Sequence, residues 1–519
     1  MSELGTPVRL RFAQFRSALG LLAALFALCA EAEAAGAEAT SACATPVGRI
    51  VSVQGTVEVQ RASQQAWSAV KRLDTALCQG DLIRTGSASR AALVVLPEKF
   101  IRVDQSSTLS IDVKDDETVI ELTQGGAGYF ITRFPRKFKV NTHFLNAAVE
   151  GTEFMVSMSS DAAAVSVFEG KVSAESSSSS GGRVVLKSGE TASAGAGEPP
   201  TVKVTVKPLD AVQWVLYYPP LGGTGADVSP DQSCDQADAS EKSRCLAIRA
   251  ERRLRVGRVG EAQSDIEESL TLLPNNSDAD ALLSIISVVK NDKPRALAMA
   301  GKATQTSPSS PNAWIALSYA QQASFKLEDA LASAEHAAAI TPNSATAQTR
   351  VAELLLSLGR IRSAERAAQA AVDANPDQSR ARTILGFAHL TQIKTKDARA
   401  DFEAAIERDS SDPLPRLGLG LAMIRDGDLK AGREQIEIAV MLDPTNSLLR
   451  SYVGKAYYEE DTKERNQLAS TQFGLAKRLD PNDPTPWYYD AILKDSQHRP
   501  VEALQDLTKS VELNDNRAV

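Results

Sequence analysis

Pro274, Pro308, Pro342, Pro376 and Pro444 stand on a grid of 34 residues, and the one empty point of that grid holds Ser410. A fixed period of this length across the C-terminal half is the mark of short supersecondary units, each burying its apolar face on the next. Proline at the close of a unit removes a backbone donor and fixes φ, so one helix stops and the next unit begins. Function in such a chain is expected in an extended surface, not in a single catalytic pocket.

The units start near Ser243, Ser277, Pro311, Ala345, Ser379, Pro413, Ser447 and Pro484. One internal position holds Ala262, Ala296, Ala330, Ala364 and Ala398, then Gly432, and after a three-residue insertion Ala469 and Ala503. A small residue there lets the two helices of a hairpin approach closely, where a bulky one would force them apart. A second small position falls at Ala303, Ala337, Ala371, Ala405, Ala439 and Ala476, and Leu283, Leu317, Val351, Leu385, Leu419 and Val453 recur in the first helix. With Trp314 and Trp487 at matching places, the pattern resembles tetratricopeptide repeats, about eight of them over residues 243–519 in an all-α solenoid. The resemblance implies that the first helices line a concave wall. It places Phe387, Leu390, Leu414, Leu417, Leu421, Ile424, Tyr458, Tyr488 and Ile492 there as a candidate protein-binding groove, with Arg380 and Lys455 adding positive charge. The paired lysine and asparagine that clamp a terminal carboxylate are not in the pattern, so an internal segment or a folded partner is the expected ligand.

The first half reads differently. Between Val47 and Lys207, short apolar or alternating runs such as Val57-Glu58-Val59, Phe100-Ile101-Arg102-Val103 and Leu109-Ser110-Ile111-Asp112-Val113 are bounded by glycine, aspartate and serine. That is the signature of a small all-β unit, with strands too closely spaced for βαβ crossovers. Gly80-Asp81-Leu82-Ile83-Arg84-Thr85-Gly86 with Ser89-Arg90-Ala91, Gly151-Thr152-Glu153-Phe154, and Val165 to Val172 resemble the signatures of FecR-type periplasmic domains over roughly residues 47–192. The family's best-known members relay the state of an outer-membrane transporter to a sigma factor. Here a signal-like segment stands where their cytoplasmic part and spanning helix are expected, so the resemblance implies an exported β-rich interaction module. Arg133, Arg136, Lys137 and Lys139 interleave with apolar residues, which fits a strand edge with its charged side in water, or a ridge for an anionic glycan, lipid headgroup or acidic partner.

Residues 1–34 read as an export signal and cleavage region: Arg9, Arg11 and Arg16 precede an apolar core from Leu19 to Leu28 that is far shorter than the roughly 20 residues a spanning helix needs. Residues 47–207 form the β domain, and residues 208–242, with Trp214, Tyr217 and Tyr218, form a docking segment and flexible linker before the repeats. Removal of the signal leaves Cys43, Cys78, Cys234 and Cys245. Chain order suggests bridges Cys43–Cys78 and Cys234–Cys245, while sequence alone leaves three pairings open.

The net charge of -8 lacks the concentrated cationic face of a nucleic-acid binder. His143, His336, His389 and His498 are scattered without metal-ligand spacing, and no phosphate loop, dinucleotide fingerprint or nucleophile motif stands out. No cofactor and no enzymatic activity are expected. The leading reading is an exported scaffold, periplasmic or outer-membrane-associated, that binds a cell-envelope protein or peptide through the repeat groove. The alternatives are a cell-wall polysaccharide module acting through the β domain, and an envelope signalling adaptor related to transport regulation; peripheral membrane association is compatible with each.

Overall fold

The computed structural model describes Cys43 and residues 45–513, apart from 115–116, 126, 133–136, 150, 179–181, 205–212, 223–228 and 236–237. The export segment expected at 1–34, and Arg133 and Arg136 of the basic stretch, lie outside the described residues. Residues 47–519 form one compact unit.

Its first part is a sandwich of two nine-stranded sheets. One sheet has the order β18 (Thr201–Val204), β17 (Glu190–Gly195), β14 (Ala162–Glu169), β13 (Glu153–Met158), β10 (Ala127–Thr132), β7 (Lys99–Val103), β6 (Arg90–Val95), β1 (Gly48–Gln54) and β4 (Thr75–Leu77). The other has β16 (Arg183–Lys187), β15 (Lys171–Ser176), β12 (Leu145–Val149), β11 (Lys137–Asn141), β9 (Glu117–Gln124), β8 (Thr108–Lys114), β5 (Leu82–Thr85), β2 (Val57–Gln60) and β3 (Trp67–Ala69). β9 and β11 run parallel, while hairpin neighbours such as β6–β7, β8–β9 and β13–β14 are antiparallel. The sheets enclose one core, with Ile50, Leu93, Ile101 and Phe154 from the first and Val59, Ile111, Phe138 and Val140 from the second.

The second part is eight helical hairpins: α1 (Ala239–Arg255) with α2 (Val259–Leu272), α3 (Ser277–Val289) with α4 (Lys293–Thr306), α5 (Pro311–Ala323) with α6 (Leu327–Ile340), and α7 (Ala345–Ser357) with α8 (Ile361–Ala374). They continue as α9 (Ser379–Thr391) with α10 (Thr395–Arg408), α11 (Pro413–Arg425) with α12 (Leu429–Leu442), α13 (Ser447–Glu459) with α14 (Lys463–Leu479), and α15 (Pro484–Ser496) with α16 (Pro500–Leu513). Most first helices open on a capping side chain, as Asn276, Ser310, Ser344, Asp412, Asn446 and Asp483 each accept a backbone N–H from the first turn, while Gln378 before α9 does not. Pro311, Pro413 and Pro484 stand in that first turn, where a missing N–H costs nothing. The small positions are buried as the close approach requires. A Cβ on Gly432 would lie 2.6 Å from the carbonyl oxygen of Gly420, and one on Gly420 would lie 2.5 Å from that of Gly432. The three-residue insertion lengthens α14 and leaves the stack unbroken.

Candidate functional site: the inner wall and the docked sandwich

The 34-residue register decides which side chains of the first helices share one wall. Tyr319, Glu353, Phe387 and Leu421 occupy one repeated place on α5, α7, α9 and α11, and Thr346, Arg380 and Leu414 occupy another. Along units three to five this wall is polar. The Arg350 guanidinium stacks 3.7 Å over the Tyr319 ring, Arg350 and Arg380 each meet Glu353 at 3.1 Å, and Arg380 spans both oxygens of Asp412 at 3.2 Å. The positive charge expected of Arg380 is therefore cancelled by two carboxylates. Lys455 is likewise paired, with Glu459.

Residues 213–222 lie along this polar stretch as a strap. Leu216, Tyr218 and Leu221 join the core of the first units, and a Cβ on Gly222 would sit 3.5 Å from Thr346. Burial, then the fields of Asp412 and Asp409, push the Tyr217 phenol well above its ordinary pKa, so it stays neutral against Arg380 and Tyr319. Residues 213–222 are thus a packed element. Further along, Cys234 and Cys245 are bonded with their Cα atoms 5.7 Å apart, which ties the chain before α1 to that helix. Cys43 and Cys78 are also half-cystines.

From unit five onward the wall is mostly apolar, with Lys455 standing on α13 at the place of Phe387 and Leu421. Phe387 packs edge-on against Phe402 with ring centroids 5.0 Å apart. Leu414, Leu421, Ile424, Tyr458 and Ile492 are half-buried, and Tyr488 is 48 % exposed. Leu390 and Leu417 are buried in contacts between neighbouring units, so they shape the wall from behind.

The outer face of the β4–β18 sheet is buried as well around β1, β6, β7, β10 and β13. Val51, Ala92, Val94, Phe100, Ile131 and Met155 form a second core with Val215 of the strap and Ile438, Met441 and Leu442 of α12. Its rim is ionic. Arg450 of α13 reaches both carboxylate oxygens of Glu153 at 2.7 Å, and Arg433 and Arg465 both bond Glu98 at 2.8 Å. Burial raises the Glu98 carboxyl, but the hydrogen bonds and charges of Arg465 and Arg433 outweigh it and hold the group below its usual range. Arg416 donates to the Val51 carbonyl at 2.7 Å. The Ser410 hydroxyl accepts from the Val53 N–H at 3.0 Å, and Gln54 donates to Ser411 at 2.7 Å. On the first unit, Arg90 of β6 donates to the carbonyls of Arg255 and Trp214. Gly257 makes room for this: a Cβ there would lie 2.6 Å from the Trp214 oxygen.

A description of FecR protein matches residues 81–173, and one of tetratricopeptide repeats matches 350–413 and 388–447. The chain carries a FecR domain followed by tetratricopeptide repeats. The matched FecR span starts just ahead of β5 and ends inside β15, and β1–β4 with β16–β18 complete the two sheets around it. No curated protein matches the chain. Among solved structures, the Cut9–Hcn1 hetero-tetramer of the APC/C is 17% identical with a TM-score of 0.43 over 54% of either chain, so the protein spans about half the length of that one. A tetratricopeptide repeat protein from Parabacteroides merdae is 18% identical with a TM-score of 0.33, over 46% of this chain and 94% of that one. YrrB, titled a TPR protein with an unusual peptide-binding site, is 18% identical with a TM-score of 0.25, over 36% and 93% of the two chains.

Sequence reasoning about the repeats missed Arg433, Arg450 and Arg465, which resemble ordinary solvated helix positions until the FecR sandwich meets them. Two signals were present. Ile436 to Leu442 is nearly all apolar and buried all round, which a one-sided helix does not need. Ser410, the vacancy in the proline grid, is the residue that bonds the sandwich backbone. His389 bridges units instead of standing free: its Nδ1 lies 2.7 Å from Asp401 and its Nε2 3.5 Å from Glu365. Among the described residues no cluster of His, Cys, Asp and Glu could hold a metal ion, and no helix is long and apolar enough to cross a membrane.

Proposed function

We propose that the protein is a non-enzymatic exported adaptor whose repeats hold the FecR sandwich on one side and grip an extended segment of an envelope protein on the apolar inner wall of units five to eight. The observation that carries this reading is the division of the wall. Its polar stretch is covered by the chain's own strap, while Phe387, Leu421 and, past Lys455, Ile492 continue one place of that register, with Ile424, Tyr458 and Tyr488 partly exposed at neighbouring places. Apolar and aromatic anchors desolvated together supply most of the energy of such a contact. The strap, with Trp214, Tyr217, Tyr218 and two prolines, gives the chemistry of a segment that fits a wall of this kind: extended, aromatic and proline-bearing. The half-cystines favour an oxidising compartment.

Affinity capture from envelope extracts with the full chain and with an Ile424→Glu, Tyr458→Glu variant tests this. A partner set lost from the variant, while the FecR sandwich stays docked, supports the reading. Identical recovery from both proteins removes the groove.

A further inference from the structure

Where the sandwich, the strap and the repeats meet, the chain encloses a cavity of about 330 Å³, walled by Gln54 and Arg90 of the sandwich, Tyr217 and Tyr218 of the strap, and Asn375 and Asp409 of the repeats. It opens at Asn375, which is exposed. A second cavity, of about 410 Å³, shares Gln54, Arg255 and Asp409 with the first and adds Lys71, Arg72 and Arg408 to its walls. Each has the size of a small-molecule site. The charged residues around the two are five cations, Lys71, Arg72, Arg90, Arg255 and Arg408, and two carboxylates, Glu407 and Asp409.

Buried charges are ordinarily paired, and here two are not. Arg90 and Arg102 are 3 % and 1 % exposed, and among the described residues neither forms an ion pair. Arg90 bonds the carbonyls of Trp214 and Arg255, and Arg102 reaches Ser52 and Gln54, all of them uncharged. Burial holds both guanidinium groups below their ordinary range, and Asp104 and Asp409 oppose it only through space. The other open polar atoms here are mostly donors. Nε of Arg90, Nε of Arg255 and the Tyr218 hydroxyl are buried without a partner. The Tyr217 hydroxyl, kept protonated by burial, bonds nothing among the described residues. One acceptor stands against them: Asp409 takes the Ser411 N–H and hydroxyl on Oδ1, which leaves Oδ2 open.

We propose that this cavity binds a small hydroxyl-bearing anion, a sugar acid or a polyol phosphate. Its anionic oxygens accept from the tyrosine hydroxyls in the field of Arg90 and Arg102, and one of its hydroxyls donates to Asp409. Lys71, Arg72 and Arg408 draw it toward the adjoining cavity. Because the strap supplies both tyrosines, the bound anion also fastens the strap between sandwich and repeats. The site is separate from the apolar groove and stands without it.

Isothermal titration calorimetry on the full chain tests the proposal, with glucuronate against glucose and glycerol phosphate against glycerol at equal ionic strength. At least one of the two anions should bind saturably, with its neutral counterpart about tenfold weaker or more, and the anion that binds separates a carboxylate ligand from a phosphate. Tyr217→Phe removes only a hydroxyl without a partner in the chain, so it should weaken the anion about tenfold and leave the melting curve of the unliganded protein in place. Asn375→Asp, which sets a like charge at the opening, should weaken the anion as well. Binding of neither anion, a neutral counterpart that binds as tightly, or binding indifferent to Tyr217→Phe would overturn the site.

Discussion

The two sheets of the FecR sandwich have equal strand numbers and share one core, yet their strands are written in different patterns. In the β3–β16 sheet, β8, β9 and β11 alternate, with Leu109 and Ile111, Ile120 and Leu122, or Phe138 and Val140 turned inward and polar residues between them. In the other sheet, β6 and β7 are buried at every residue, because Ala91, Leu93 and Val95 face the sandwich core while Ala92 and Val94 face α12. Loss of alternation is what a strand shows when both its faces leave water. The difference separates a sheet that works as scaffold from one that is also an interface.

The comparison can be broken most directly at the ionic rim. Glu153→Gln leaves the Arg450 guanidinium buried beside a neutral partner and should cost about 3–5 kcal/mol in urea unfolding. By contrast, Lys139→Ala, which removes the exposed pair with Glu117 on the outer face of the other sheet, should leave the midpoint in place. Phe100→Ala opens the docked core and is expected to cost about 3–5 kcal/mol, with new proteolytic cleavage around the strap as the accompanying sign.

The response to pH sharpens the contrast. Burial lifts Asp104, at the docked face beside Arg90 and Arg102, from its ordinary range to about 6, with the backbone bond from Gln105 and the two arginines only partly opposing it. A carboxyl raised on folding binds protons in the native state first, so its contribution falls as pH climbs from about 4 to about 6. Asp104→Asn should therefore stabilise the protein by about 1–3 kcal/mol near pH 7, and the gain should fade by about pH 4. Glu117 has the opposite sign: its hydrogen bond from Lys139 lowers it, so what it contributes is present at neutral pH and lost on acidification. Among the docked-face changes the smallest effect is expected for Ser410→Ala, about 1 kcal/mol, read as a shift in urea midpoint.

The repeat architecture was legible because it is written locally: a proline that ends a hairpin and a small residue that lets two helices touch recur every unit. The apolar strands of the FecR domain were legible for the same reason, whereas strands such as β3, β4, β12 and β18 are short or weakly patterned. Docking was legible only as anomaly, in the unbroken run of β6, the all-round burial of Ile436 to Leu442, and the missing proline at 410. The pairs themselves were not. Glu153 and Arg450 are 297 residues apart, and neither carries a local pattern that names its partner. The apolar composition around Trp214, Tyr217 and Tyr218 marks a segment able to dock, but nothing in it says that the neighbours are Tyr319 and Arg380.

An ordinary stack of helical hairpins is a spring, because each unit contacts only its neighbours and compliance accumulates along its length. Here Arg90 holds the turn of the first unit, while Glu98 and Glu153 hold the sixth and seventh, and Lys293 of the second unit meets Asp480 beyond the seventh at 3.0 Å. The FecR sandwich is thus a brace across the coil. Its curvature is fixed at one pitch, and any cargo that requires a wider coil must first detach the brace.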